Sequence, residues 1–487
     1  MPLRRTLAAT FLTIAAAGAV LAQNPIEARI QRIANGLVPP VVLEGRPVAT
    51  TRLADRMRDS RIQGVSIAVF VDGRIDWARG WGFADVESGR KVDERTRFQA
   101  ASISKPVAAV AALALAARGR LSLDGDVNAS LKSWKVPENE FTASSKVTLR
   151  RLLSHSAGTT VSGFRGYAKN EAVPTLVQVL DGEKPANSAP VRVDIPIGSR
   201  WRYSGGGFSI VQLLVEDETG KPFAQSAREL VLEPFGMSRS TFLQPLPPEL
   251  RRDAATGYQS DGRPIDGNWH VYPEQAAAGL WTTPSDLARF AIELQRIAAG
   301  RSNRVLGTDL ARQMLQPQME DYGLGVGVEG TGTSATFGHG GANAGFRCQL
   351  VAYRDQASGV VVMTNSDSGG AILQDVVRAV AREYGWPGLA PVTRRLGTAD
   401  PAAYADFAGR YEIPTRSPAV VLRVETESGR LFASAGDTRS ELLPEDATTF
   451  FALDRDFRIR FVRDATGRVS EARVWQGTRE RTATRVP

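Results

Sequence analysis

Pro106 constrains the folding of this chain more than any other residue, because it stands between Ser102-Ile103-Ser104-Lys105 and an alanine-rich run from Val107 to Arg118. A proline deep inside a helix removes a bond to the carbonyl four residues back and clashes with it. Here that carbonyl belongs to Ser102, so the helix is predicted to begin at about Ser102. Ser102 and Lys105 then share one helix face, and the serine lies at the positive end of the helix dipole, where a developing oxyanion is stabilised. A serine hydroxyl is almost un-ionised at neutral pH and attacks a carbonyl only if a positioned group takes its proton. An amine held in a dry cleft is such a group. The spacing alone is common in helices, and a capping serine followed by a solvated lysine accounts for most such matches.

The company of this tetrad changes the odds. Four segments follow it in order: Thr148-Leu149-Arg150-Arg151-Leu152-Leu153-Ser154-His155-Ser156-Ala157-Gly158-Thr159, Tyr203-Ser204-Gly205, Gly279-Leu280-Trp281-Thr282-Thr283-Pro284-Ser285-Asp286-Leu287, and His339-Gly340-Gly341. In these motifs the chain resembles the serine β-lactamase and penicillin-binding-protein superfamily, in its class C-like branch with related esterases and D-specific peptidases. The resemblance runs from about Gly64 to Gly385. It implies an α+β fold in which an antiparallel sheet is flanked by helices, with a helical subdomain. It makes Ser102 the acylated nucleophile, Lys105 its partner and Tyr203 the second catalytic base, with the backbone N–H groups of Ser102 and Ala342 as the oxyanion hole. It also turns Gly205, His339, Gly340, Gly341 and Asn343 toward the substrate. The chemistry agrees for Tyr203: a phenol of ordinary pKa about 10 acts as a base at neutral pH only beside a cation, and Lys105 is the obvious one. The run Gly205-Gly206-Gly207 is read as a turn, as a place of close backbone approach to substrate, or as both.

Two departures bear on substrate. The family's Tyr-x-Asn is here Tyr203-Ser204-Gly205, which lacks the amide that would contact an acylamino side chain. Its Lys-Thr-Gly is His339-Gly340-Gly341, and a histidine is charged only near or below its pKa of about 6.5. Recognition of a carboxylate is therefore weakened. Hydrolysis of an ester, or of an amide with other handles, is expected ahead of D-specific peptidase activity, and that ahead of β-lactamase activity. A reading from another class, a non-catalytic relative whose cleft only binds, is disfavoured because a binding protein has no use for serine, lysine and tyrosine together.

Other chemistries find little support. No Gly-x-Ser-x-Gly elbow is present, and a Ser-His-Asp triad would have to recruit one of the three histidines, His155, His270 or His339. His155 looks like part of a helix end closed by Gly158, and His270 lies in a polar, aromatic loop bordering the expected cleft. One cysteine and scattered histidines offer no metal cluster, so neither metal nor cofactor is expected. Gly325-Val326-Gly327-Val328-Glu329-Gly330 fits a dinucleotide fingerprint on paper but continues into Thr331-Gly332-Thr333-Ser334, and reads as a glycine-rich strand. A net charge of +8 over 487 residues, with arginines scattered, gives no nucleic-acid footprint. A small-molecule or peptide substrate is the expected partner, and the residues are silent on oligomeric state.

Arg4 and Arg5 precede an apolar run from Leu7 to Leu21 that ends in Val20-Leu21-Ala22, so residues 1–22 read as an export signal, with the twin-arginine route open, and the mature chain as periplasmic or secreted without a membrane span. The lone Cys348 excludes an internal disulfide. Residues 45–385 are expected to form the hydrolase-like domain, with a hairpin about Asp72-Gly73, a helix opened by Thr283-Pro284-Ser285-Asp286 and a last helix from about Ile372 to Tyr384. Residues 386–402 read as a linker. Residues 403–487 read as a small β-barrel or sandwich with candidate strands at Val420–Glu425, Leu431–Ser434, Phe450–Leu453, Arg458–Val462 and Val469–Trp475.

Overall fold

Asp72 and Gly73 both adopt positive φ, 52° and 70°, the geometry whose twist matches that of the strands it joins. They link β1 (Gly64–Val71) to β2 (Arg74–Asp85), the hairpin expected there. In this computed structural model, which describes residues 24–413, 420–436, 438–477 and 479–487, the hairpin belongs to a seven-stranded sheet. The proposed export signal lies outside the described residues. The remaining strands are β3 (Arg90–Lys91), β4 (Gly327–Glu329), β5 (Thr336–Asn343), β6 (Phe346–Tyr353) and β7 (Gly359–Thr364), in the spatial order β3-β2-β1-β7-β6-β5-β4. Every pairing is antiparallel.

Helices cover both faces, which explains the near-continuous apolar runs in β1 and β7. Along β1, Val65, Ile67 and Val69 point to one core, shared with α1 (Pro25–Asn35) and α6 (Gly370–Tyr384), while Ala68 and Phe70 point to the other. That second, larger core contains α2 (Ser104–Ala117), α3 (Gly205–Thr219), the short α4 (Gln275–Ala278) and α5 (Pro284–Ala298). The Thr283 hydroxyl caps α5 by accepting from the Asp286 N–H at 3.2 Å, as its sequence foretold. The architecture is the expected α+β arrangement.

After α6 the chain returns to the first unit: Val392–Arg394 pairs in parallel with Val41–Leu43. An Arg394–Asp456 ion pair at 3.2 Å ties this segment to the carboxy-terminal part. There β8 to β15 (Gly409–Ile413, Val420–Glu427, Arg430–Ala435, Thr438–Pro444, Thr449–Phe451, Phe457–Arg463, Val469–Gln476 and Arg479–Val486) close a barrel, since β8 pairs with β15. It has its own core, in which Phe407 stacks on Phe461 at 4.5 Å beneath buried Tyr411 and Phe450.

Candidate active site

Ser102 lies in a single 3₁₀ turn, Ala101–Ile103, that runs directly into α2, and Pro106 is the third residue of that helix, where its missing N–H costs no bond. The preceding Ala101 is held at φ 49°, a left-handed conformation that costs a non-glycine residue about 1–2 kcal/mol. The surroundings enforce it. Ala100 N–H donates to the Leu280 carbonyl at 2.8 Å, Ile103 N–H to the Ala100 carbonyl at 3.0 Å, and Leu280 N–H to the Ser104 hydroxyl at 3.0 Å. Lys105 is 2% exposed because α2 runs through the larger core. Its Nζ donates to Ser102 Oγ at 3.0 Å and to the Ala277 carbonyl at 2.8 Å, both uncharged oxygens.

Ala277 belongs to α4, which α3 holds by the Gln212 side chain: its oxygen accepts from Ala276 N–H at 3.1 Å and its amide donates to the Pro273 carbonyl at 3.2 Å. Glu274, immediately before α4, is wholly buried, and neither carboxyl oxygen has a hydrogen-bond partner among the described residues. Burial lifts its pKa to about 8.

Tyr203 reaches the same place from the start of α3. Ser204 caps that helix, its hydroxyl accepting from Gly207 N–H at 2.9 Å, and the Tyr203 ring centre lies 4.9 Å from Lys105 Nζ. The expected convergence of hydroxyl, amine and phenol ring is therefore present in the structure. Gly205–Gly207 form the first turn of α3 and not a loop. All three are buried, and a Cβ on Gly206 would come within 2.8 Å of the Thr160 carbonyl, so the glycines serve close packing. At Gly205 a Cβ would face Phe164 and the Ser162 carbonyl.

His155 was read from sequence only as part of a helix end. The Leu149–Leu153 helix does stop there, but His155 itself takes the left-handed position (φ 55°), with Gly158 left-handed three residues later. Its ring packs 4.3 Å from the Tyr203 ring and 4.7 Å from Tyr322, and its Nδ1 accepts from Ser204 N–H at 3.1 Å. Burial first, then Lys105 and His339, hold its pKa well below the ordinary 6.5. It is thus a neutral ring bracing the tyrosine. Sequence reasoning missed Tyr322 altogether, a buried phenol in a polar, glycine-flanked stretch with no motif to mark it.

Strand β5 closes the site. Gly341 packs so tightly that a Cβ there would sit 2.3 Å from the Ala100 carbonyl oxygen, which sets the strand directly against the turn bearing Ser102. The next residue, Ala342, is exposed, as is Gly340. The other two β5 side chains are not free. His339 donates from Nδ1 to the Gly340 carbonyl, and its Nε2 accepts from the Tyr322 hydroxyl at 3.0 Å. Burial, then Lys105, push its pKa down to about 3, so it is neutral and committed at both nitrogens. Asn343 is 4% exposed and donates to the Gln99 side-chain oxygen at 2.8 Å and the Ala278 carbonyl at 3.1 Å. Asn343, expected to face substrate, instead braces the strand, while His339 is held at both nitrogens and still lines an open cavity beside Tyr203. His270, the third histidine, is anchored by an Nδ1 contact to the Arg165 carbonyl at 3.1 Å.

Comparison with known proteins agrees with this geometry. The profile of the beta-lactamase family matches residues 49–383. The chain belongs to the β-lactamase family. Its relatives include proteins named as an esterase and as D-aminopeptidases. Esterase EstB of Burkholderia gladioli is 30% identical over 47% of this chain and 59% of its own length. A D-aminopeptidase of Brucella anthropi is 25% identical over 63% of this chain and 57% of its own. The chain thus spans less than two thirds of either relative. In fold, the octameric penicillin-binding protein homologue from Pyrococcus abyssi superposes with TM-score 0.56 at 20% identity, covering 89% of this chain and 98% of that one.

Proposed function

We propose that the protein is an exported hydrolase that cleaves an ester, with an amide as the second choice, through an acyl-enzyme on Ser102. The observation that carries this reading is the 3.0 Å approach of Lys105 Nζ to Ser102 Oγ within an otherwise buried helix. In the proposed cycle Lys105 takes the hydroxyl proton as Oγ bonds to the substrate carbonyl carbon, and the N–H groups of Ser102 and Ala342 receive the oxyanion. Collapse breaks the bond between that carbon and the leaving oxygen or nitrogen, which receives the proton by way of Tyr203. Water then gives a proton to Tyr203 or Lys105 while its oxygen attacks the acyl carbon, and Oγ leaves with a proton.

The ester preference rests on the third motif. Its histidine is neutral and tied at both nitrogens, so no cation in that motif grips a substrate carboxylate, the handle common to β-lactams and D-Ala-terminated peptides. The relative named an esterase supports the same choice. The relative named a D-aminopeptidase supports an amide with a different handle as the second reading. Export rests on the amino-terminal leader read from sequence, and residues 403–487 are read as a cleft-edge or oligomer-forming module. A fluorophosphonate probe tests the chemistry. Adduct mass on the Ser102 peptide, with turnover of p-nitrophenyl acetate and loss of both in Ser102→Ala, is expected; an unlabelled Ser102 in folded protein would overturn the proposal in favour of a binding-only relative.

A further inference from the structure

A cavity of about 1010 Å³ opens beside the site, and which residues line it indicates which half of the substrate it holds. Tyr203, His339 and Gly340 are on its wall; Ser102, Lys105 and Ala342 are not. The cavity therefore meets the site on the side of Tyr203, His339 and Gly340. An acyl group bonded to Ser102 Oγ has to stay with that oxygen. The group attached to the atom that receives the proton from Tyr203 has to lie on the side of Tyr203. Resting on the hydrolase reading above, we infer that the cavity receives the leaving group, and that the preferred substrates are esters of bulky aromatic alcohols.

Part of the wall fits that occupant, set among the charged Arg200, Arg202, Glu320, Asp321 and Glu329. Trp201 and Tyr322 stand 5.9 Å apart and, with Tyr203 at 6.1 Å from Trp201, give a panel of three rings suited to offset or edge contact with another ring. Val351 and Leu389 add apolar surface. Gly340 keeps the entrance clear: a Cβ there would meet nothing nearer than Gln349 Oε1 at 3.5 Å, so the missing side chain leaves room that crowding does not require. This contrasts with Gly341, one residue on, where crowding forbids any side chain. The volume is at the upper end of what drug-sized ligands occupy, roughly 300–1,000 Å³, far more than a methyl or ethyl alcohol fills. Glu480 and Arg481 of barrel strand β15 join the lining, so the carboxy-terminal barrel contributes a wall to the cavity.

Two ester series separate the halves of the substrate. In the first, acetate is held constant while the alcohol grows from phenol to 2-naphthol to a biphenylol, leaving groups of similar acidity. In the second, phenol is held constant while the acyl chain grows from acetyl to octanoyl. The expected result is a rise in kcat/KM of roughly tenfold or more across the first series, from burial of an added ring, against a change of less than about threefold across the second. Leu389→Trp, which narrows the cavity, should abolish the gain of the biphenylyl ester over phenyl acetate. Gln374→Trp, at the exposed rim of the same cavity, gives a second reading if Leu389→Trp fails to fold. A steep acyl series with a flat alcohol series would overturn the inference, as would a biphenylyl gain that survives both substitutions. Absence of turnover in both series together with an unlabelled Ser102 would instead remove the hydrolase reading, and this inference with it.

Discussion

Glu274 gives the most demanding test of the forces that hold the site. Its carboxyl is wholly buried without a hydrogen-bond partner among the described residues, and burial lifts its pKa to about 8 from an ordinary 4.5. Between those two values the folded chain keeps the proton and the unfolded chain has lost it. Folding stability is therefore undiminished below about pH 4.5, falls by about 1.36 kcal/mol per pH unit as pH rises toward about 8, and levels off above it. Across the window the loss is roughly 4–5 kcal/mol, large against the total of about 5–15 kcal/mol typical of a domain. Glu274→Gln keeps the shape and removes the titration. Urea unfolding followed by tryptophan fluorescence at intervals from pH 5 to pH 9 should show the variant gaining on the wild type by about 4 kcal/mol between pH 5 and pH 8, with no further gain above that. The site should register the same event. Glu274 precedes α4, whose Ala277 carbonyl anchors Lys105, so wild-type kcat should fall above about pH 8 while the Gln variant holds its rate further. Parallel stability curves for the two proteins would refute the reasoning.

Two other substitutions probe β5. Gly341→Ala puts a Cβ where the Ala100 carbonyl oxygen now lies 2.3 Å away, so the strand must withdraw from the Ser102 turn; a loss of roughly 1–3 kcal/mol in stability and of at least tenfold in acylation rate is expected, read from thermal melts and fluorophosphonate labelling. Tyr322→Phe removes the hydroxyl that donates to His339 Nε2 and leaves that nitrogen unpaired; a stability cost of about 1–3 kcal/mol with a fall in kcat and little change in KM is expected, measured by urea unfolding and ester turnover.

The legible parts of the chain were those whose chemistry dictates spacing. Asp72-Gly73 had to be a tight turn, Thr283-Pro284 had to open a helix, and Pro106 fixed where α2 could begin. The barrel was half legible. Strands with inward apolar residues, such as Phe457–Arg463, stood out, whereas Arg479–Val486 and Thr438–Pro444 carry arginine, threonine and glutamate, which hid their alternation. The site divided the same way. Ser102, Lys105 and Tyr203 converge because the helices that carry them are fixed by capping and core packing, but a motif names a side chain without saying where it turns. His339 and Asn343 stand at the expected positions, yet the first is taken up by Tyr322 and the Gly340 carbonyl and the second by Gln99 and Ala278. Once those groups are committed, what β5 offers a substrate is bare backbone at Gly340 and Ala342, and backbone cannot distinguish one acyl or leaving group from another. Discrimination then has to come from Trp201, Tyr322 and the edge of β15, segments without a motif. For that reason family membership is legible in this sequence, and substrate is legible only in the walls around the site.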